Sequence, residues 1–376
     1  MVKISYVEIT TRSNYPTIGR KNLHIWEPTL QTLAKQTMKD FEVIIVDIFY
    51  HERPDYFKKH NYGLKIKHVP SAPNVWFHSG QFQPPNHLGQ PHPCHQINKG
   101  FIHADGELLF VNGDSFMYPP DLMENLWRHY QEGYFVGCGL VSELTYFEEN
   151  KFKKTTAEVT GGIPTEWYRF LGFDGRVHVH DRYMKYLIEP GRDMASILPG
   201  QYYGVSTLSL EAALKVNGFD QAFDGDNLLA DCDMGKRLAL AGYKEKLAMF
   251  KDCYSVEAMA DLAWHPKMRQ SRNGGIKCNY ALMMFNELTC RYRANDPLSE
   301  ADIKWIIDKI CLGGRCNQMK VCKELHTFFP FFLKESKELF EYWKKYQAPL
   351  SVDLELEREM RIDGEEEYAE GTFVNI

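Results

Sequence analysis

The sequence predicts an α/β fold, with a mainly parallel sheet flanked by helices and a helical C-terminal extension. Three observations point there. Short runs rich in Val, Ile, Leu and Phe recur through the first half, helix-like segments separate them, and polar corners close several of the runs. Strands buried on both faces lose the polar/apolar alternation, so near-continuous apolar runs between helices indicate a parallel sheet covered on both sides. In such sheets ligands collect beyond the carboxyl ends of the strands.

The elements follow in order. "KISYVEI" (3–9) is the first strand, and the helical stretch "NLHIWEPTLQTLAKQTM" leads to the second, "FEVIIVDIF" (41–49). "LKIKHV" (64–69) is the third, followed by the helical "CHQINKGFIHADG" and the strand "ELLFVN" (107–112), which stops at Asn112-Gly113-Asp114-Ser115. From about 135 to 200 the periodicity weakens and aromatic, Gly and His residues accumulate, which reads either as an insertion covering a substrate or as an ordinary surface excursion. Residues 207–217 and 231–241 read as helices, the second ended by Gly242, and Ser299 followed by Asp302 marks a helix start with helices expected through 346. The acidic "DLELEREMRIDGEEEYAEG" predicts a solvated tail or a weakly docked arm. The expected organisation is a main domain at 1–285 carrying the 135–200 insertion, a helical region at 286–350 and an acidic tail at 351–376.

With 376 residues, 44% of them apolar, the chain has ample material for a core. A formal net charge of -6 offers no global attraction to nucleic acid or anionic membrane, although a local basic patch stays open. No run approaches the roughly 20 apolar residues of a bilayer span, and "MVKISYVEITTRSNYP" lacks the apolar core of a signal peptide, so a cytoplasmic protein without a transmembrane segment is expected. Nine cysteines, an odd number in a long chain, fit reduced thiols. Cys311, Cys316, Cys322 and His326 could hold zinc, but their spacing matches no common finger, and buried thiols are the reading taken.

Carboxylates close three separate elements: Asp47 after "EVIIV", Asp114 after "LLFVNG", and Asp231 with Asp233 in "LLADCDMGKRL". An enzyme handling a nucleotide diphosphate needs a divalent cation held by few protein carboxylates, which leaves positions for phosphate oxygens. Taken singly, Asn-Gly-Asp-Ser reads as a turn, Asp231 as a helix cap, and His265 in "LAWHPKM" as structural. Trp76, Trp167, Tyr168, Tyr202, Tyr203 and Trp264 either stack on a ligand or fill a core. His78, His87, His92 and His95 in "FHSGQFQPPNHLGQPHPCHQ" read as a loop over the ligand site rather than a metal set.

The order of the motifs adds to this. "DFEVIIVD", then "INKGFIHADGELLFVNGDSFMYPPDL", then "VNGFDQAFDGDNLLADCDMGKRLALAGYK" resembles family-2 glycosyltransferases of the GT-A fold, the nucleotide-diphospho-sugar transferase architecture. The carrying residues are Asn98-Lys99-Gly100, Ala104-Asp105-Gly106-Glu107, Gly218-Phe219-Asp220 and Arg237-Leu238 with Ala241-Gly242-Tyr243, over roughly residues 3–270.

The resemblance implies an inverting, metal-dependent transferase that moves a sugar from a UDP-linked donor to an acceptor hydroxyl, as in glycan synthesis. It implies Asp231 as general base, and Asp114 with His265 as ligands of Mn(II) or Mg(II). Thr10, Thr11, Arg12, Asp47, Asn98, Asn112 and Gly113 would face the nucleotide-sugar, and Tyr203, Gly204, Asp233 and Trp264 the sugar or acceptor. The sequence departs from the pattern at Asn112, which stands where the first Asp of the metal motif is usual, and at Ile48, Thr11 and Ala230. Those departures motivate a second reading, a sugar-nucleotide-binding scaffold without turnover. A third reading is transfer to a hydroxylated nucleic-acid base, against which the acidic charge argues.

Overall fold

The computed structural model describes residues 2–10, 26–47, 50, 54–71, 93–113, 116–145, 192–201, 205–224, 229–259, 279–311, 341, 344 and 352–361. Its centre is a five-stranded sheet in the order β3-β2-β1-β4-β9, built from β1 (Ile4–Thr10), β2 (Phe41–Asp47), β3 (Ile66–Pro70), β4 (Leu108–Gly113) and β9 (Ser206–Ser209). The first four are parallel and β9 runs antiparallel along β4. All seven residues of β2 are buried, which is why its sequence shows no alternation.

Two apolar layers cover the sheet. Ile4 and Tyr6 of β1 with Val43 and Ile45 of β2 pack against α1 (Trp26–Ala34) and, after the short α2 (Tyr56–Lys59) and α3 (Pro93–His103), against α4 (Leu122–Gln131). Val7 and Ile9 with Ile44 and Val46 face the opposite layer, where Phe101 of α3 is joined by α5 (Leu210–Lys215), α6 (Ala230–Leu238), α7 (Asn279–Leu288) and α8 (Glu300–Ile306). The period-two geometry of a strand does this sorting, sending alternate side chains to alternate layers. Two small sheets complete the described strands, β6 (Phe135–Val136) with β10 (Leu247–Phe250) and β8 (Met194–Ser196), and β5 (Phe116–Met117) with β11 (Tyr254–Met259) and β7 (Gly139–Thr145). No helix among the described residues is long and apolar enough to cross a membrane.

Two expectations are corrected. Residues 207–217 are not one helix, because Ser206–Ser209 pairs with β4 and only then does the chain turn into α5. Ser209 makes the switch, its hydroxyl accepting from the Ala212 N–H at 3.1 Å as the helix cap. The solvated-tail reading of the acidic segment is overturned over 352–361, where the alternative of a docked arm holds, more firmly than expected. The segment forms α9 (Leu354–Met360), with Leu354 fully buried and Arg358 donating to the carbonyls of Phe101, Ile102 and Ala104 at 2.6, 3.0 and 2.7 Å. Those carbonyls lie at and just past the end of α3, where the intrahelical bonds run out, so a guanidinium is well suited to them. Ser299 and Asp302 form the expected capping box, and Gly242, at φ +97°, breaks the helical path after α6. Residues 146–191 and 312–340, with Cys316, Cys322 and His326, lie outside the described residues.

Candidate active site at the carboxyl ends of the strands

Register brings the chemistry-bearing strand ends to one edge. Thr10 pairs with Asp47, which pairs with Pro70, while Ile9 pairs with Gly113 and Glu8 with Asn112. Asp47 and the Asn112-Gly113 corner therefore close the two strands that flank β1 in a parallel sheet, where side chains and loops converge on bound ligands. Asp47 is fully buried and meets His68 Nε2 at 3.0 Å, with Tyr50 and Phe57 packed on the His68 ring.

Beside it, β1 and β4 hold a buried polar cluster. Asn112 Nδ2 donates to Tyr6 Oη at 2.6 Å and to Glu8 Oε2 at 2.8 Å, the Tyr6 hydroxyl is bonded to Glu8, and the Tyr118 hydroxyl lies 3.0 Å from that of Tyr6. Glu8 and Tyr118 are 1% exposed, and Tyr6 and Asn112 not at all. Burial, and then the charge of Glu8, pushes the Tyr6 hydroxyl well above its ordinary range, which keeps it a donor. Among the described residues, the buried Asn112 Oδ1 has no hydrogen-bond partner, a state that costs about 1–3 kcal/mol.

Helix α3 starts at the same edge, since a helix between parallel strands returns from their carboxyl ends. Gln96 confirms the placement by donating to the Val46 carbonyl near the end of β2 at 3.3 Å. Asp224 closes this helix end, accepting from Cys94 N–H and His95 N–H at 2.9 and 3.0 Å. His95 is the member of the His78–His95 series that is described, and burial holds its imidazole below the ordinary range, in the neutral form.

Seven residues past Asp224, Asp231 stands in the first turn of α6, its Oδ1 accepting from Cys232 N–H at 2.8 Å. Burial raises its carboxyl above the ordinary Asp range despite that bond, making it a stronger base than a surface aspartate. The residue before the helix, Leu229, is left-handed at φ +75°, a conformation that costs a leucine energy.

Asn98 and Asp233 have work other than the ligand contacts expected of them. Asn98 grips the Phe219 backbone from both sides, donating to its carbonyl at 2.8 Å and accepting from its N–H at 2.7 Å. The clamp holds a turn at Gly218, where φ is +69° and a Cβ would lie 2.3 Å from Asn98 Oδ1. Asp233, 1% exposed, is held by Arg237 and by Asn286. Arg237 in turn donates to the carbonyls of Val216 and Gly218 at 3.0 and 2.9 Å, so α6 is locked to the turn that Asn98 locks to α3.

Thr11, Arg12, Asp114, Tyr203, Gly204, Trp264 and His265 lie outside the described residues, as do Ile48, Trp76, Trp167, Tyr168 and Tyr202; Thr10 and Gly113 are described by backbone only. What the described part offers a divalent cation is Asn112 Oδ1, a buried oxygen lacking a partner, beside the Glu8 carboxylate; oxygen donors of this kind fit Mn(II) or Mg(II). Among the described residues, the group with metal-ligand spacing lies elsewhere, at His129, Asp252 and Cys253, where Arg128 already occupies the Asp252 carboxylate.

Sequence reasoning missed Glu8, His68 and Asp224. The signal for Glu8 was present, a single acid within an otherwise apolar strand at a position facing the same layer as Tyr6.

No family model matches the sequence, and no curated protein matches it. Among solved structures the chain is similar to S. aureus TarS 1-349 in complex with UDP-GlcNAc, at TM-score 0.48 and 11% identity, over 92% of this chain and 81% of that one. It is also similar to TarS 1-349 in complex with UDP, at TM-score 0.43 and 12% identity, over 95% and 89%.

Proposed function

We propose that this chain is an inverting glycosyltransferase of the GT-A fold that uses a divalent cation and a nucleoside-diphosphate sugar, with UDP as the nucleotide and an acceptor hydroxyl as the second substrate. The observation that carries the reading is the single edge where β1, β2 and β4 end, with Asp47 and Asn112 in the strands on either side of β1 and the capped amino end of α3 beside them. The ordered motifs of the sequence supply the reaction class.

In this reading the Asp231 carboxylate takes the proton of the acceptor hydroxyl as that oxygen attacks the anomeric carbon. The new C–O bond forms on the face opposite the breaking bond to the diphosphate, so configuration inverts and the nucleoside diphosphate leaves. Asp114 and His265 would hold the divalent cation, Mn(II) or Mg(II), which when bound would supply positive charge for the leaving diphosphate. Asp47 and Asn112 orient the nucleotide, while Tyr203, Gly204 and Trp264 face the sugar or acceptor.

The test is UDP release from a panel of UDP-sugars with MnCl2, with and without acceptor glycans, in the wild type and Asp231→Asn. Acceptor-dependent release that Asp231→Asn removes supports the transferase. Donor binding with no release across the panel replaces it with the non-catalytic scaffold, and unchanged release in Asp231→Asn removes that residue as the base.

A further inference from the structure

Proton accounting in the Tyr6-Glu8-Asn112-Tyr118 cluster leaves one orientation for the Asn112 side chain. The Tyr6 hydroxyl has one hydrogen, and it goes to Glu8, which as a carboxylate can only accept. Tyr6 Oη then receives a hydrogen from Tyr118 and one from Asn112, filling both lone pairs. The second Asn112 hydrogen goes to Glu8 Oε2 at 2.8 Å. Both amide hydrogens are consumed inside the cluster, and the amide cannot turn over, because its oxygen would then face a carboxylate. The atom left over is Asn112 Oδ1, fully buried and without a partner among the described residues, one residue before the Gly113 that ends β4.

We propose that Glu8 is a positioning residue that fixes Asn112 with its carbonyl oxygen held as an acceptor for an electropositive group of the ligand, a ribose hydroxyl or a bound divalent cation. This rests on the nucleotide-sugar reading of the site. It also accounts for the amide at position 112. The carboxylate that the sequence pattern places there is present one strand away, at the register partner of Asn112, and two adjacent carboxylates would repel.

The Glu8→Gln substitution separates this role from a merely structural one. A glutamine amide can donate, so it no longer forbids the Asn112 amide from turning its oxygen towards position 8 and away from the ligand, and a buried charge is removed. The expected result is a melting temperature equal to or above that of the wild type, together with a tenfold or greater loss of affinity for the ligand. The double variant Glu8→Gln/Asn112→Asp moves the carboxylate across the strand pair and is expected to recover affinity to within about threefold of the wild type, a rescue no packing role gives.

Binding is read by calorimetry in two arms, MnCl2 alone and UDP alone in EDTA. Loss confined to the MnCl2 arm identifies the cation as the partner of Asn112, and loss confined to the UDP arm identifies the ribose. Undiminished affinity in Glu8→Gln, or a double variant as weak as the single, overturns the role of Glu8 while the donor-binding reading stands. A wild type that binds in neither arm overturns both. If Glu8→Gln alone does not fold, the double variant against wild type decides, a loss beyond tenfold being the overturning result.

Discussion

Asp233 and Arg237 stand one turn apart on α6, both 1% exposed, with the guanidinium Nε 2.6 Å from the carboxylate. Burial raises the Asp233 carboxyl above its ordinary range even against the opposing charge of Arg237. Removing the cation strands a buried acid, so Arg237→Met should lower unfolding free energy by about 3–5 kcal/mol in urea titration. Replacing both residues should recover only part of this, because the carbonyls of Val216 and Gly218 lose their donor as well.

Asp231 should show opposite signs in stability and activity. Its folded-state carboxyl is raised, so the stability it contributes is present below the ordinary Asp range and lost as pH rises through the raised value. At neutral pH, Asp231→Asn should therefore leave the melting temperature unchanged or higher. Transfer should fall by about 100- to 10,000-fold with donor affinity retained. In the wild type the acidic limb of kcat/KM should lie above pH ~4, the ordinary carboxylate value.

Asp224→Ala uncovers the amide hydrogens of Cys94 and His95 at the head of α3. Loss of a helix cap costs about 0.5–2 kcal/mol, checked by urea titration. If α3 frames the donor site, UDP affinity should weaken beyond the effect of an equally destabilising change in α8, such as Ile306→Val.

The far end of α3 should be acid-sensitive. Burial, then the charges of Lys99, Arg361, Lys67 and Arg358, lower the His103 imidazole to about 4. Its folded value lies below its unfolded one, so stability is present above pH ~6.5 and lost as pH falls towards 4. Asp105 differs. Burial works to raise it, but hydrogen bonds from Lys67 and Arg361 hold it at about 2, so its contribution persists until pH falls well below 4. Unfolding midpoints between pH 7 and pH 4 should drop in the wild type and flatten in His103→Gln.

Much of the sheet was legible because β2 and β4 carry the unbroken apolar runs Val-Ile-Ile-Val and Leu-Leu-Phe-Val and β1 is dominated by apolar residues. Strand β9 was not, because its four residues, Ser-Thr-Leu-Ser, run directly into an apolar helix and share one periodicity window with it. The docking of 352–361 was hidden by averaging, since its acidic composition masks Leu354, Arg358 and Arg361, the residues that hold it. At the strand ends the positions of Asp47 and Asn112 could be read, but the partner of Asn112 could not. Pairing of Glu8 with Asn112 is a property of register, set by residues 104 apart in sequence.

The clasp of Arg358 on the last carbonyls of α3 bridges more than 250 positions of sequence. During synthesis, a ribosome has already produced every strand of the central sheet before the residue that finishes this early helix emerges. The nascent chain must wait with those carbonyls facing water, and a stall or cleavage upstream of position 358 leaves them so. Closure of the helix is thereby a late event of translation, and a fusion that shields the C-terminal segment acts on an element made near the beginning.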